Sequence, residues 1–198
     1  MVPLARVVPL VALLSLNAFA QGFRDPSPES APPERKSRLR AGFTVGAGSV
    51  FGNFNNFILS AGAIFNVSAR LGIQIGKPFA LMLQTMPNLY VLVPPGGATA
   101  TGVGINNAIL AELTLGDRLQ LGAGPSIDYL GGAGCNSTGC YSAEGVGFGG
   151  HFRAALVLGD RNPRNGRRGL SLAVNAHPIF LPNRTLFVAT FGVGAEWF

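Results

Sequence analysis

Residues 185–198 read TLFVATFGVGAEWF. Phe187, Ala189, Phe191, Val193, Ala195 and Trp197 fall on one parity, and Thr190, Gly192, Gly194 and Glu196 on the other. Successive side chains of an extended strand point to opposite faces, so this is a strand with one greasy face and one small, polar face. The second face decides the fold. A soluble sandwich or lipocalin-like barrel also alternates, but its outer face carries Lys, Glu, Thr and Ser over an apolar interior. Glycine with an occasional charge suits instead the crowded lumen of a narrow barrel whose apolar face meets lipid.

Seven further stretches repeat the pattern. Phe43, Val45, Ala47 and Phe51 oppose Thr44, Gly46, Gly48 and Gly52, with a turn at Asn53 to Asn56. Leu59 through Ile73 at every second position oppose Ser60, Gly62, Asn66, Ser68, Arg70, Gly72 and Gln74, and Ile64 alone breaks that polar face. Phe79, Leu81, Leu83, Leu89 and Val91 oppose Gln84, Asn88 and Tyr90, with Pro87 suggesting a bulge. Ile109, Ala111 and Leu113 oppose Asn106, Glu112 and Thr114 before a turn at Gly116 to Arg118. Leu121, Ile127 and Tyr129 oppose Gln120, Ser126 and Asp128. Phe148, Phe152 and Leu156 oppose Gly147, His151 and Arg153, and Leu170, Leu172 and Val174 oppose Ser171, Asn175 and His177. Together they predict an all-β, eight-stranded antiparallel up-and-down transmembrane β-barrel over residues 41–198.

Composition agrees. The chain is 47% hydrophobic and only 12% charged, yet no apolar run is long enough to cross a bilayer as a helix. With 28 glycines, costly inside helices, the apolar content belongs to strands. Residues 1–20 carry Arg6, the apolar stretch Val7 to Leu16 and the small-x-small site Ala18-Phe19-Ala20, the pattern of a cleaved export signal. Residues 21–40 are rich in proline and charge and predict a disordered leader. In an exported chain Cys135 and Cys140, within GAGCNSTGCYS, are expected to pair across a short loop. Two thiols with no histidine nearby make half a zinc site, so no metal is expected.

The export signal, eight alternating strands and terminal aromatic resemble the small Gram-negative outer-membrane barrels of the OmpA/OmpX-type class. The resemblance is one of pattern and covers residues 41–198. It implies residence in the outer membrane, outer-membrane lipids and the barrel-assembly machinery as partners, a monomer, and Phe198 as assembly signal. Strict alternation places Trp197 in phase with the lipid face and Phe198 out of it. The same topology implies that the termini and the turns near 76, 117 and 160–168 face the periplasm. Arg35, Lys36, Arg38, Arg40, Lys77, Arg118, Arg161, Arg164, Arg167 and Arg168 then form a basic rim for anionic headgroups. Nucleic acid is not expected as the partner of an exported barrel.

Counting from the turns puts Arg70, Glu112, Arg153 and Glu196 at comparable depth in the lumen. Buried charges must pair, so these four predict a salt-bridge plug, with a narrow ion path as the sharper alternative. No catalytic set emerges. His177 and Ser171 share the inward face but stand roughly 20 Å apart along one strand, and His151, able to approach Ser126 or Asp128, points away from the acyl chains. GVGFGG at 145–150 matches a dinucleotide fingerprint only formally, because a strand and not a helix follows it. No cofactor is implied. The expected function is non-enzymatic, structural in the envelope or an interaction at the surface through the disulfide-pinned loop. A channel or transporter is the alternative, ahead of a lipid A-modifying enzyme or a secreted ligand-binding barrel.

Overall fold

The computed structural model describes residues 37–54, 57–75, 78–93, 99–116, 118–136, 139–159, 161–162, 166–182 and 184–197. The export signal, the leader up to residue 36 and Phe198 lie outside the described residues. The strands are β1 (Ser37–Phe54), β2 (Phe57–Ile75), β3 (Phe79–Val93), β4 (Thr99–Leu115), β5 (Leu119–Asn136), β6 (Gly139–Leu158), β7 (Arg161–Asn162), β8 (Gly166–Leu181) and β9 (Arg184–Trp197). Each long strand pairs antiparallel with its neighbours in the chain. β1 also pairs with β9, and β6 pairs with β8, so eight strands close into one up-and-down barrel. The two-residue β7 makes a small hairpin with the start of β8 inside the basic turn.

β1 begins at Ser37, four residues before the Ala41 expected from alternation, because Ser37 to Arg40 continue the ladder opposite Ile75 to Gly72. Registers are otherwise uniform, with a single shift between Gly52 and Phe54. The bulge expected at Pro87 is absent. Pairing with β4 runs through it without a shift, and on the β2 side the register is the same at Asn66↔Asn88 and Ala69↔Thr85. Proline removes a donor there and leaves the register unshifted.

Polarity is inverted relative to a soluble protein. Phe148 is 66% exposed and Leu83 58%, whereas Gln120 and Asp128 are fully buried and Glu112 is 1% exposed. Such a surface is stable only against lipid, and it is the outward apolar band of a membrane barrel. The eight long strands run from 14 to 20 residues, longer than the 9–11 needed to cross a bilayer, so their ends project beyond it. At one end sit Ser37, Trp197 and the connections that follow β2, β4 and β6. There Gly116 adopts φ 56, a left-handed conformation that favours glycine, and Arg118 N–H closes the turn on the Leu115 carbonyl at 3.2 Å. We call this the turn end and the opposite one the loop end.

Candidate functional site

The lumen is filled in three layers. Nearest the turn end, five charged side chains converge from five strands: Arg40 on β1, Arg70 on β2, Glu112 on β4, Arg153 on β6 and Glu196 on β9. All are 3% exposed or less. Arg70 bridges both carboxylates, donating from Nη1 to Glu196 Oε1 at 2.6 Å and from Nη2 to Glu112 Oε2. Arg153 Nη2 donates to Glu196 Oε1 at 2.7 Å and its Nη1 to Gln120 Oε1 at 3.0 Å. Arg40 Nη2 lies 2.6 Å from Glu112 Oε1.

The four residues singled out in the sequence are thus brought together. Arg40, assigned there to the basic rim, is a correction: it is buried in the lumen. Its even number shares the lumenal parity of Gly42 and Thr44, and starting the strand at Ala41 hid that signal. Of the rim, Arg118 and Arg168 are exposed, and the side chains of its remaining members lie outside the described residues.

The middle layer is a hydrogen-bonded chain that the sequence reading mis-assigned. His177 Nε2 lies 2.9 Å from Ser126 Oγ and 3.0 Å from Asp128 Oδ1. Asn106 donates to Asp128 Oδ1 at 2.8 Å, and Asn88 donates in turn to Asn106. On the other side His177 Nδ1 faces His151 Nδ1 at 2.8 Å, and His151 Nε2 is 3.2 Å from both Gln84 Nε2 and Asn175 Oδ1. It is therefore His177, from β8, that reaches Ser126 and Asp128 on β5, while His151 backs it from β6. Alternation cannot anticipate a contact across an intervening strand. Gly149 allows it: a Cβ there would stand 2.9 Å from Ser126 Oγ and 3.1 Å from Asp128 Oδ2.

This layer does not have the geometry of a nucleophilic relay. Such a relay places the acid on one ring nitrogen and the serine on the other. Here Asp128 and Ser126 share Nε2, and the opposite nitrogen is taken by a second imidazole. Among the described residues no three of His, Cys, Asp and Glu are arranged to hold a metal ion.

Towards the loop end the lumen is apolar. Val50, Ile64, Ile179, Leu186 and Val188 pack together, with Tyr90, Ala100, Leu130 and Leu181 against them. Of these only Ile64 stood out in the sequence as a break in the polar face. Met82, Met86 and Leu110 are also fully buried on the lumenal parity, so the inner face is less polar than the glycine-rich pattern suggests.

Beyond the cap, β5 and β6 form a hairpin paired as far as Asn136↔Gly139. Cys135 and Cys140 are direct partners in it and are bonded, S–S 2.04 Å and Cα–Cα 4.0 Å. On its other side β6 pairs with β8 from Phe148↔Phe180 towards the turn end only. From Gly139 to Gly147 no strand among the described residues pairs with that edge.

No protein-family profile matches the chain, and no curated protein matches it by sequence. Solved structures match by shape. Ail, the attachment invasion locus protein of Yersinia pestis, superposes with TM-score 0.58 at 9% identity over 80% of this chain and 98% of its own. Its complex with the heparin analogue sucrose octasulfate gives 0.56 at 8% identity, over 80% of this chain and 99% of that one. Neisserial surface protein A aligns over 82% of this chain and 99% of its own, with TM-score 0.47 and 9% identity.

Proposed function

We propose that the protein is a non-enzymatic outer-membrane barrel with a surface-interaction role, its turn end in the periplasm and its β5–β6 hairpin outside the cell. Sharing the fold of Ail supports the location, and a protein named for attachment gives the role a precedent on this scaffold. The observation that carries the reading is the unpaired edge of β6 from Gly139 to Gly147. An open edge offers a row of unused backbone donors and acceptors, and folded proteins normally blunt such edges with proline, lysine or a bulge. This one holds none of these in GCYSAEGVG. The disulfide keeps the hairpin extended and the edge presented. Such an edge takes an extended polypeptide as one more strand, backbone bonds supplying affinity and alternate side chains specificity. A sulfated polysaccharide fits poorly, because the only charged residue from Gly131 to Gly147 is Glu144.

The lumen is the scaffold of this function. The ion-pair cluster and the apolar cap support reading it as a plug, and the nitrogen of His177 shared by Ser126 and Asp128 speaks against hydrolysis. Attachment of cells expressing the full chain to a protein-coated surface tests the reading. Ser142→Pro, which removes one edge N–H at an exposed position, is expected to reduce attachment several-fold with the protein still in the outer-membrane fraction. Unchanged attachment would sink the edge as the binding element, and a soluble product would sink the location.

A further inference from the structure

The ladder between β6 and β8 is broken at one level. Gly149 pairs with Ile179 and Phe152 with Ala176, and the positions between are not paired. The cause is covalent: Pro178 has no N–H to give. Continuing the register puts His151 opposite His177 in that break. Their rings meet edge to face, centroids 4.9 Å apart at 85°, with Nδ1 to Nδ1 at 2.8 Å. Side chains thus join the strands where the backbone cannot.

Two imidazole nitrogens at that distance attract only when one carries a hydrogen and the other a lone pair. A neutral pair satisfies this. So does a pair with one added proton, because His177 can then donate from Nε2 to Asp128 and from Nδ1 to His151. A second added proton sets N–H against N–H and cation against cation. The charged groups facing the pair are Asp128 from β5, Arg70 from β2 and Arg153 from β6, with Arg40, Glu112 and Glu196 behind them. Gln84, Ser126 and Asn175 complete the surroundings without charge. Arg40, Arg70 and Arg153 outnumber Glu112 and Glu196, and Asp128 is taken by the first added proton, so nothing compensates the second.

We propose that His151 and His177 form a proton-operated clasp on the β6–β8 seam, closed with up to one added proton and opened by the second. Between the clasp and the free edge of β6 only Phe148↔Phe180 and Gly149↔Ile179 hold the seam, so opening lengthens the unpaired edge. The clasp stands whether or not that edge binds a partner.

Amide hydrogen exchange on the full chain in phosphatidylcholine vesicles, corrected for intrinsic rates, reads it directly. Between neutral pH and pH well below the ordinary histidine value of about 6.5, protection of segments 148–151 and 176–181 is expected to fall about tenfold, reversibly. The β1–β2 ladder around Arg70 should hold. His151→Asn, which keeps a polar group and cannot take a proton, should abolish the response. Should that variant not fold, imidazole nitrogen spectra of the unaltered chain serve: one Nδ1 protonated at neutral pH, both protonated where protection is lost. Flat protection, a response that survives in His151→Asn, simultaneous loss around Arg70, or identical Nδ1 states at neutral pH would each overturn the clasp.

Discussion

Glu196 is one of the two carboxylates that hold the turn-end layer together, and both Arg70 and Arg153 donate to its Oε1. Removing one partner from a buried ion-pair network strands the others in low dielectric, at about 3–5 kcal/mol. Glu196→Ala is therefore expected to lower the urea midpoint of unfolding in vesicles by a corresponding amount. Gly42 is its structural complement: a Cβ there would stand 2.8 Å from the Glu196 carboxyl carbon. Gly42→Val should destabilise by displacing the same carboxylate, and adding it to Glu196→Ala should cost less than the two losses summed. Four of the five charged residues of this layer were legible from parity and distance to the turns. Arg40 was missed because the strand was begun too late, and the partners of His177 because spacing along a strand says nothing about reach across a lumen.

The hairpin of β5 and β6 carries a cross-link where backbone pairing already fixes the two chains. Closing so short a loop removes little denatured-state freedom, about 2 kcal/mol by the chain-entropy relation. Replacing both Cys135 and Cys140 by serine is expected to raise amide exchange in the tip of the hairpin and to lower the barrel's unfolding midpoint by less than Glu196→Ala does. A loss of heat-modifiable migration on a gel in that variant would contradict this. The strands themselves were legible because lipid contact favours an apolar side chain at every second position: Phe79, Leu81 and Leu83 could be placed from parity alone. What alternation could not show was the outcome at Pro87 and Pro178. A missing donor is a local gap in one ladder, and whether the register shifts depends on the partner strand.

For the molecule as a whole, the three lumenal layers predict electrical silence. The purified protein in a planar bilayer is expected to pass no resolvable current, and Arg153→Ala or Glu112→Ala alone should not open it, since the apolar layer of Val50, Ile64, Ile179, Leu186 and Val188 remains. Steady conductance of the unaltered protein would favour the channel reading. Closure of the barrel was legible from the count of strands and from the final strand's need of a partner. The apolar layer was not, because Val50, Ile179 and Leu186 carry the same kind of side chain as the residues that face lipid. The pairing of β1 with β9 also sets the timetable of assembly. Seven of the eight seams join strands that follow one another along the chain, but this one joins Ala41 to Trp197. Each doubling of the intervening length adds only about 0.6 kcal/mol of closure entropy, so the delay lies in kinetics: contacts remote in sequence form late. Until they form, the first and last strands are two open borders of a sheet, and β1 waits for the last strand of the fold to arrive.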